Sequence, residues 1–268
     1  MNRQLLLSEF LTTPWALMPE RLQAMAGVLT RWSAGEPPTD EAMFQIQSER
    51  VLRDTRKQMA AANAGSGIAV LPLYGVVTQR GNMVDDISGP GSTSTQQFTS
   101  ALRQVLADDT VGQILIDIDS PGGSVFDGYT MFREIQSLRD RGVVVTATIT
   151  GMAASMASVI CMACDSIRMV PHGRMMIHDA SNGAYGNAEA MRKMADLLDG
   201  ISGDIAAIYA DRTGKTVDAV RAMMKKETWM NAKDAKSLVA HALLEGESVA
   251  GARGAGPAPA PRPRSAGG

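Results

Sequence analysis

The chain has 268 residues, of which 45% are hydrophobic and 20% are charged, and its formal net charge is -2 at pH 7. This composition supports a sizeable buried core, and the absence of a basic excess argues against nucleic acid as the main partner. No run reaches the roughly 18 apolar residues of a membrane-spanning helix, and the first residues, up to Leu17, lack a signal-peptide pattern. We therefore expect a cytoplasmic protein that binds neither nucleic acid nor membrane.

The chain divides into three regions by composition. Residues 1–62 are polar and helix-leaning and lack strand-like runs, so we predict an N-terminal helical arm. Residues 63–247 hold the alternating apolar segments of a core domain. Residues 248–268 contain Gly, Ala, Pro, Arg and Ser without large apolar side chains, and we predict a disordered tail. On this reading, neither the arm nor the tail is needed for the core to fold.

Within the predicted domain, strand-like and helix-like segments alternate. The strand candidates are 68–77, 111–118, 143–149, 166–170 and 174–177, and the helix candidates between them are 98–106, 125–138 and 153–163. Strands that alternate with helices indicate crossover connections, so the fold class is α/β with a mainly parallel sheet.

The last third of the domain is predicted to be helical. Asn187 is a candidate N-cap for a long helix that reaches about residue 211, with apolar residues at steps of three and four along one face. Thr216 and Asn231 are candidate N-caps of two shorter helices. The apolar stripe is longer than one small domain needs to cover, so we expect a homo-oligomer.

The two cysteines, Cys161 and Cys164, form a lone C-x-x-C within an apolar run. No second pair or histidine cluster stands at metal-ligand spacing. We therefore predict two buried thiols, and we expect neither a metal nor a cofactor.

Three short stretches carry candidate chemistry. Residues 119–123, Asp-Ser-Pro-Gly-Gly, follow a strand and precede a helix, so their amides can approach a developing oxyanion, although a tight turn would have the same pattern. Ser155 stands among small residues at a predicted helix start, where it is either a nucleophile or a helix cap. The surrounding residues are not Gly-x-Ser-x-Gly, which disfavours an α/β-hydrolase elbow. His178 ends an apolar strand, where it is either a general base for the serine or a satisfied core histidine.

In this order and spacing, the three stretches resemble the proteolytic subunit of the Clp protease over roughly residues 68–244. The resemblance implies the Clp/crotonase fold of repeated ββα units with a mainly parallel sheet. It also implies an ATP-independent serine endopeptidase that works through an acyl-enzyme, with Ser155 as nucleophile and His178 as base. The amides of Gly123 and Met156 would form the oxyanion hole.

The resemblance further implies that Gly122 and Ser124 bind substrate. The third triad position, two residues before Trp229, is Glu227 in this chain, whereas the family has Asp. Either carboxylate can orient a catalytic imidazole.

Residues 15–21 and 75–81 look like the head-maturation (prohead) proteases of tailed bacteriophages. That resemblance implies a capsid, scaffold or portal protein as substrate, in the host cytoplasm or the phage prohead. Other readings stay open from the residues alone. They are a Ser-Lys dyad with Lys193 or Lys215 as base, as in the signal-peptide-peptidase branch, a crotonase-type enzyme acting on acyl-thioesters, and a non-catalytic capsid-assembly protein.

Overall fold

The computed structural model describes residues 3–36, 67–79, 92–107, 111–184, 186–238 and 243–244. The helices are α1 (Arg3–Thr12), α2 (Pro19–Ser33), α3 (Thr95–Leu106), α4 (Val125–Asp140), α5 (Met156–Met162), α6 (Ala188–Thr213), α7 (Val217–Lys225) and α8 (Ala232–Leu238). The strands are β1 (Trp15–Leu17), β2 (Ile68–Tyr74), β3 (Val76–Thr78), β4 (Ser92–Ser94), β5 (Gln113–Ser120), β6 (Gly122–Ser124), β7 (Val144–Ala154), β8 (Ser166–Met169), β9 (Arg174–Ile177), β10 (Thr228–Met230) and β11 (Leu243–Leu244).

The larger sheet has the order β10-β9-β7-β5-β2, and β8 joins it by pairing with β7. All of these pairs are parallel except that of β10 with β9. Alternate side chains of the central strands are fully buried, as the two-residue period of a strand requires. They include Ile114, Ile116 and Ile118 of β5 and Ala147 and Ile149 of β7. The mainly parallel α/β architecture predicted from the sequence is confirmed.

Strand β7 is longer than its sequence indicates. The sequence pattern ends a strand at residue 149 and starts a helix at 153, whereas the strand continues to Ala154 and α5 starts at Met156. On one edge β7 pairs with β5. On the other edge its first part pairs with β8 and its last three residues, Met152 to Ala154, pair with β9. The end of β7 is therefore fastened to β9.

A smaller sheet has the order β1-β6-β3-β4. Its first strand, β1, belongs to the predicted N-terminal arm and pairs antiparallel with β6. The expectation that the arm lacks strands is therefore wrong at Trp15–Leu17, because this strand forms through long-range pairing. Residues 37–66 and 248–268 lie outside the described residues, so the proposed boundaries at 62 and 247 stay predictions.

The predicted N-caps are confirmed. The side-chain oxygens of Asn187, Thr216 and Asn231 accept hydrogen bonds from amides three residues later, at 3.0, 3.2 and 3.0 Å. Long helix α6 ends at Gly214, which has a φ of 69°. Ile201, Ile205 and Tyr209 are buried in the core, but Met191 in the first half is 43% exposed. Of the residues described, no helix has the length and hydropathy to cross a bilayer.

Candidate active site

Ser155 lies at the sharp turn between β7 and α5. It has φ 55° and ψ −122°, a backbone conformation that is unfavourable for residues with a Cβ. Its amide donates to the Met176 carbonyl of β9 at 2.8 Å, which fastens the turn to the neighbouring strand. A serine on a strained strand-to-helix turn is typical of nucleophilic serine enzymes.

The hydroxyl of Ser155 contacts the imidazole of His178. The distance between Ser155 Oγ and His178 Nε2 is 2.6 Å. This contact follows from strand register, because Ala154 of β7 is paired with Met176 of β9. Ser155 follows the first strand and His178 follows the second, so the parallel pair brings both side chains to the same sheet edge. The Ser155 and His178 side chains are thus within proton-transfer reach.

Burial lowers the pKa of His178 below its usual value of 6.5. The carboxylates of Glu227, Asp179 and Glu20 act in the opposite direction and raise it, but burial is the larger effect. The imidazole is therefore neutral near pH 7. The neutral form is the one that can accept a proton from a serine hydroxyl.

Glu227 lies between α7 and β10, and its φ is 50°. Because Thr228 is paired with Ile177, the sheet brings Glu227 next to His178. Its Oε1 atom accepts a hydrogen bond from the Trp229 indole at 3.2 Å. Among the described residues, no hydrogen bond joins Glu227 to His178. Glu227 therefore acts on the imidazole through its charge in this structure.

Gly122 and Gly123 occupy positions where a side chain would not fit. A Cβ on Gly123 would lie 2.2 Å from the Val77 carbonyl oxygen, so strands β3 and β6 pack too closely for any other residue. Gly122 has a φ of 105°, which also favours glycine. Ser124 is buried and caps α4, because its hydroxyl accepts from the Asp127 amide. The predicted substrate-binding Ser124 therefore also has a structural role.

Met156 is the first residue of α5 and is fully buried. Amides in the first turn of a helix have no partner within the helix, so the Met156 amide is available for a ligand. The Met156 side chain packs so closely on Gly128 of α4 that a Cβ there would lie 2.0 Å from the Met156 Cγ. The start of α5 is thereby held in place.

A buried polar network, which no sequence motif indicated, supports the turn at Ser155. The Ser158 hydroxyl lies 2.7 Å from the Ser155 carbonyl oxygen, 3.0 Å from the Met176 carbonyl oxygen and 2.6 Å from the Tyr209 hydroxyl. One signal was available, because Tyr209 brings a polar group to the apolar face of the long helix.

Arg221 supports Asp179, the residue that follows His178, and no sequence motif indicated this contact. Its guanidinium contacts Asp179 at 2.5 Å and Asp199 at 2.9 Å. Asp179 directly follows His178, so this bridge connects the segment after His178 to α6 and α7. No short-range pattern links Arg221 to Asp179, because the contact joins separate elements.

The lysines considered as alternative bases are exposed. The Lys193 side chain is 75% exposed and its Nζ atom lies 3.6 Å from the Glu189 carboxylate. Lys215 is exposed after the end of α6. A lysine base needs burial or a neighbouring cation to lower its pKa. The surroundings of these two lysines therefore give no support to a Ser-Lys dyad.

The predicted burial of both cysteines is confirmed, and both thiols are free. Burial raises the pKa of Cys161, and it raises the pKa of Cys164 to about 12. Both groups are therefore protonated near neutral pH and have little nucleophilic character.

The mainly parallel sheet, the strained serine turn and the Ser155–His178 contact are together typical of a serine hydrolase built on a mixed α/β fold. The sequence profile of the Clp protease family matches residues 86–239, which is more than half of the chain. The chain therefore belongs to the Clp protease family. It is a Clp-type serine peptidase with the Clp/crotonase fold.

Individual relatives agree with the family match. The ATP-dependent Clp protease proteolytic subunit of Bacteroides fragilis is 37% identical over 160 residues, which cover 58% of this chain and 76% of that protein. The protein of the same name from Pleurastrum terricola is 32% identical over 146 residues, or 54% of this chain and 73% of that protein. Proteolytic subunit 1 from Leifsonia xyli is 31% identical over 144 residues, or 53% and 72%.

Proposed function

We propose that this peptidase cleaves peptide bonds through an acyl-enzyme on Ser155. As Ser155 Oγ attacks the substrate carbonyl carbon, its proton moves to His178 Nε2. The tetrahedral intermediate then expels the amine, which takes the proton from His178. Water, deprotonated by His178, then attacks the ester carbonyl carbon. As the bond to Ser155 Oγ breaks, the protonated His178 gives its proton to that oxygen and the acid product leaves. The observation that carries the proposal is the 2.6 Å contact between Ser155 Oγ and His178 Nε2.

The oxyanion is held by the amides of Gly123 and Met156, which come from β6 and the start of α5. The main chain of Gly122 and Ser124 lines the cleft that binds the substrate. Glu227 stabilises the imidazolium that forms during attack, since it raises the pKa of His178. None of these steps consumes ATP or needs a cofactor.

We propose residues 63–247 as the catalytic unit and residues 248–268 as a tail. The unit acts as a homo-oligomer on protein or peptide substrates, because the first half of α6 leaves Met191 and Leu197 exposed in one copy. The named relatives are themselves subunits. Sedimentation at micromolar concentration checks the oligomer, and a monomer there would contradict it.

We infer a role in bacteriophage head maturation from residues 15–21 and 75–81. The substrate is then a capsid, scaffold or portal protein, in the host cytoplasm or the prohead. Purified capsid, scaffold and portal proteins of a tailed phage test this inference. We expect cuts with the wild-type enzyme and none with Ser155→Ala, and a failure to cut any of the three would remove the phage role.

A fluorophosphonate probe, which reacts with activated serines, tests the chemistry. We expect covalent labelling of the wild type, loss of labelling in Ser155→Ala and His178→Ala, and full labelling in the control Ser137→Ala. Ser137 is exposed on α4 and therefore reports unspecific reaction. Equal labelling of Ser155→Ala and wild type would refute Ser155 as nucleophile. A folded protein in which Ser155 stays unlabelled in every variant would favour a non-catalytic assembly protein.

A further inference from the structure

Strand β1 has main-chain partners on both edges. On one edge it pairs with β6, where Ala16 is opposite Gly123 and Leu17 is opposite Gly122. On the other edge, the Trp15 amide donates to the Ser181 carbonyl at 2.9 Å and the Ser181 amide donates to the Trp15 carbonyl at 2.8 Å. This three-residue strand therefore lies between the strand that carries Gly123 and the segment that follows His178. An extended peptide added to a sheet edge is held by the same kind of bonds.

The register brings the Ala16 carbonyl to the proposed oxyanion amide. The Val125 amide donates to the Pro14 carbonyl at 3.2 Å, two residues away from the pair Ala16 and Gly123. Hydrogen-bonded pairs recur every second residue in an antiparallel ladder, so Ala16 and Gly123 form the next such pair. The Gly123 amide thus faces the Ala16 carbonyl oxygen, which lies where the oxygen of a substrate peptide bond would lie.

The same carbonyl is next to the nucleophile. A Cβ built on Gly122 would lie 2.2 Å from the Ala16 carbonyl oxygen and 3.0 Å from the Ser155 Cβ, so these two atoms are close together. Glu20 at the start of α2 is near enough to raise the pKa of His178. Ser155 is only 2% exposed and His178 only 7% exposed. The segment therefore covers the site.

We call α1, β1 and α2, residues 3–33, the cap. The cap has its own apolar cluster, and among the buried residues that the structure describes, Val76 is the one member from outside the cap. The buried cap members are Phe10, Trp15, Leu17, Met25 and Leu29. The cap also lies outside residues 86–239, which match the Clp family. Apart from Ala16, which packs in the main hydrophobic core, the buried apolar side chains of the cap thus pack mostly on one another.

We propose that the cap inhibits the peptidase by holding Trp15–Leu17 in the peptide-binding cleft as a substrate-like strand. The cleft accepts an extended peptide with a small residue opposite Gly123, the position of Ala16. An outside peptide binds only when the cap has moved away. The proposal rests on the proposed function of Ser155 and names the regulation and ligand of that site.

A reversible crosslink tests the proposal. A Cβ on Gly183 would lie 4.0 Å from the Leu11 Cβ, which suits a disulfide between Leu11→Cys and Gly183→Cys. The probe is a fluorescein-labelled peptide with the sequence of residues 12–20, and binding is measured by fluorescence anisotropy in the Ser155→Ala background. We expect the oxidised form to bind at least about tenfold more weakly than the reduced form, because the disulfide removes the open population.

Each single cysteine variant is the control and should not respond to oxidation. Equal binding by the fully crosslinked and the reduced double variant would overturn the proposal. Each comparison uses one folded protein before and after reduction, so a folding defect cannot imitate the effect.

A matched pair of substitutions opens the cap instead of locking it. Ala16→Trp cannot fit, because Ala16 is 1% exposed and packs in the main hydrophobic core, whereas Ala24 lies on the exposed side of α2. We expect Ala16→Trp to strengthen probe binding by about tenfold or more, and Ala24→Trp to leave it unchanged. Unchanged binding in both variants would count against the cap.

Hydrolysis by the same variants with Ser155 intact separates this proposal from the peptidase proposal. If binding responds as expected but no variant hydrolyses peptide, the cap proposal stands and the role of Ser155 fails. If the oxidised double-cysteine variant and Ala16→Trp both bind and hydrolyse peptide like the wild type, the cap proposal fails and the peptidase proposal stands.

Discussion

Substitution of Ser155 by glycine should lower the free energy of unfolding by less than the burial of this residue alone would predict. A residue with a Cβ at φ 55° and ψ −122° carries strain of about 1–3 kcal/mol. Ser155→Ala keeps this strain and Ser155→Gly relieves it. Relative to alanine, glycine also lowers the free energy of unfolding by about 0.5–1 kcal/mol, because it makes the unfolded chain more flexible. It lowers it by about 0.8 kcal/mol more, because one buried carbon is lost.

Ser158 is the matched control, because it is fully buried inside α5 and its backbone is helical. There, the change from Ala to Gly carries the same two losses without relief of strain. The loss of unfolding free energy from Ala to Gly should therefore be smaller at position 155 than at 158 by about 1–3 kcal/mol.

Urea denaturation of the four single variants measures this difference. A thermal scan gives a second reading, since 1 kcal/mol corresponds to about 2–4 °C in Tm for a domain of this size. Both position-155 variants should fail to react with the fluorophosphonate probe. Equal losses of unfolding free energy from Ala to Gly at positions 155 and 158 would show that the turn at Ser155 is not strained.

Ser155→Ala and His178→Ala should each reduce peptide hydrolysis by up to about a million-fold, and the double variant should be little worse, because the two groups act as one unit; a much slower double variant would contradict this. Glu227→Gln should slow hydrolysis by about tenfold to a thousandfold, short of the ten-thousand-fold loss typical of a hydrogen-bonded triad carboxylate, and Glu189→Gln should not. Burial lowers the pKa of His178, so kcat/KM should fall only below about pH 6.5. Glu227→Gln should move this acid limb of the pH profile to still lower pH, because the carboxylate raises the pKa of His178. An acid limb above pH 7, or one that Glu227→Gln moves to higher pH, would contradict the assignment of His178 as the base. Gly200→Ala should raise the free energy of unfolding by about 1 kcal/mol in urea, since nothing lies within 4 Å of the added Cβ, and an unchanged midpoint would show that helix propensity does not limit α6 there.

Local features of the fold could be predicted from the sequence where local chemistry determines them. Asn187 and Thr216 were predictable as N-caps, because the capping bond joins residues three apart. Trp15–Leu17 was not predictable as a strand, because three residues are too few to show a period and the partners of the strand lie more than a hundred residues away. The extension of β7 through Gly151 was also missed, because small residues have little strand propensity of their own.

The same distinction between local and long-range determinants holds for the candidate site. Ser155 and His178 were identifiable from their motifs, but their 2.6 Å contact depends on the register between β7 and β9. Glu227 was a candidate because of its position two residues before Trp229, and its triad role stays a prediction. The orientation of its carboxylate toward the Trp229 indole depends on side-chain packing. Ser158 and Tyr209 meet only because α5 packs against α6, which no short motif reports.

The shared edge of β7 has a consequence for how the protein can diverge. Ser155 and His178 are aligned by the last three residue pairs of that edge, so insertions in the connection between β8 and β9 leave the alignment intact. A single inserted residue within β9 would instead turn its alternate side chains to the opposite face and carry the imidazole away from the hydroxyl. Descendants of this chain can therefore gain or lose residues in that connection, while the four residues of β9 and the last three residues of β7 must keep their length.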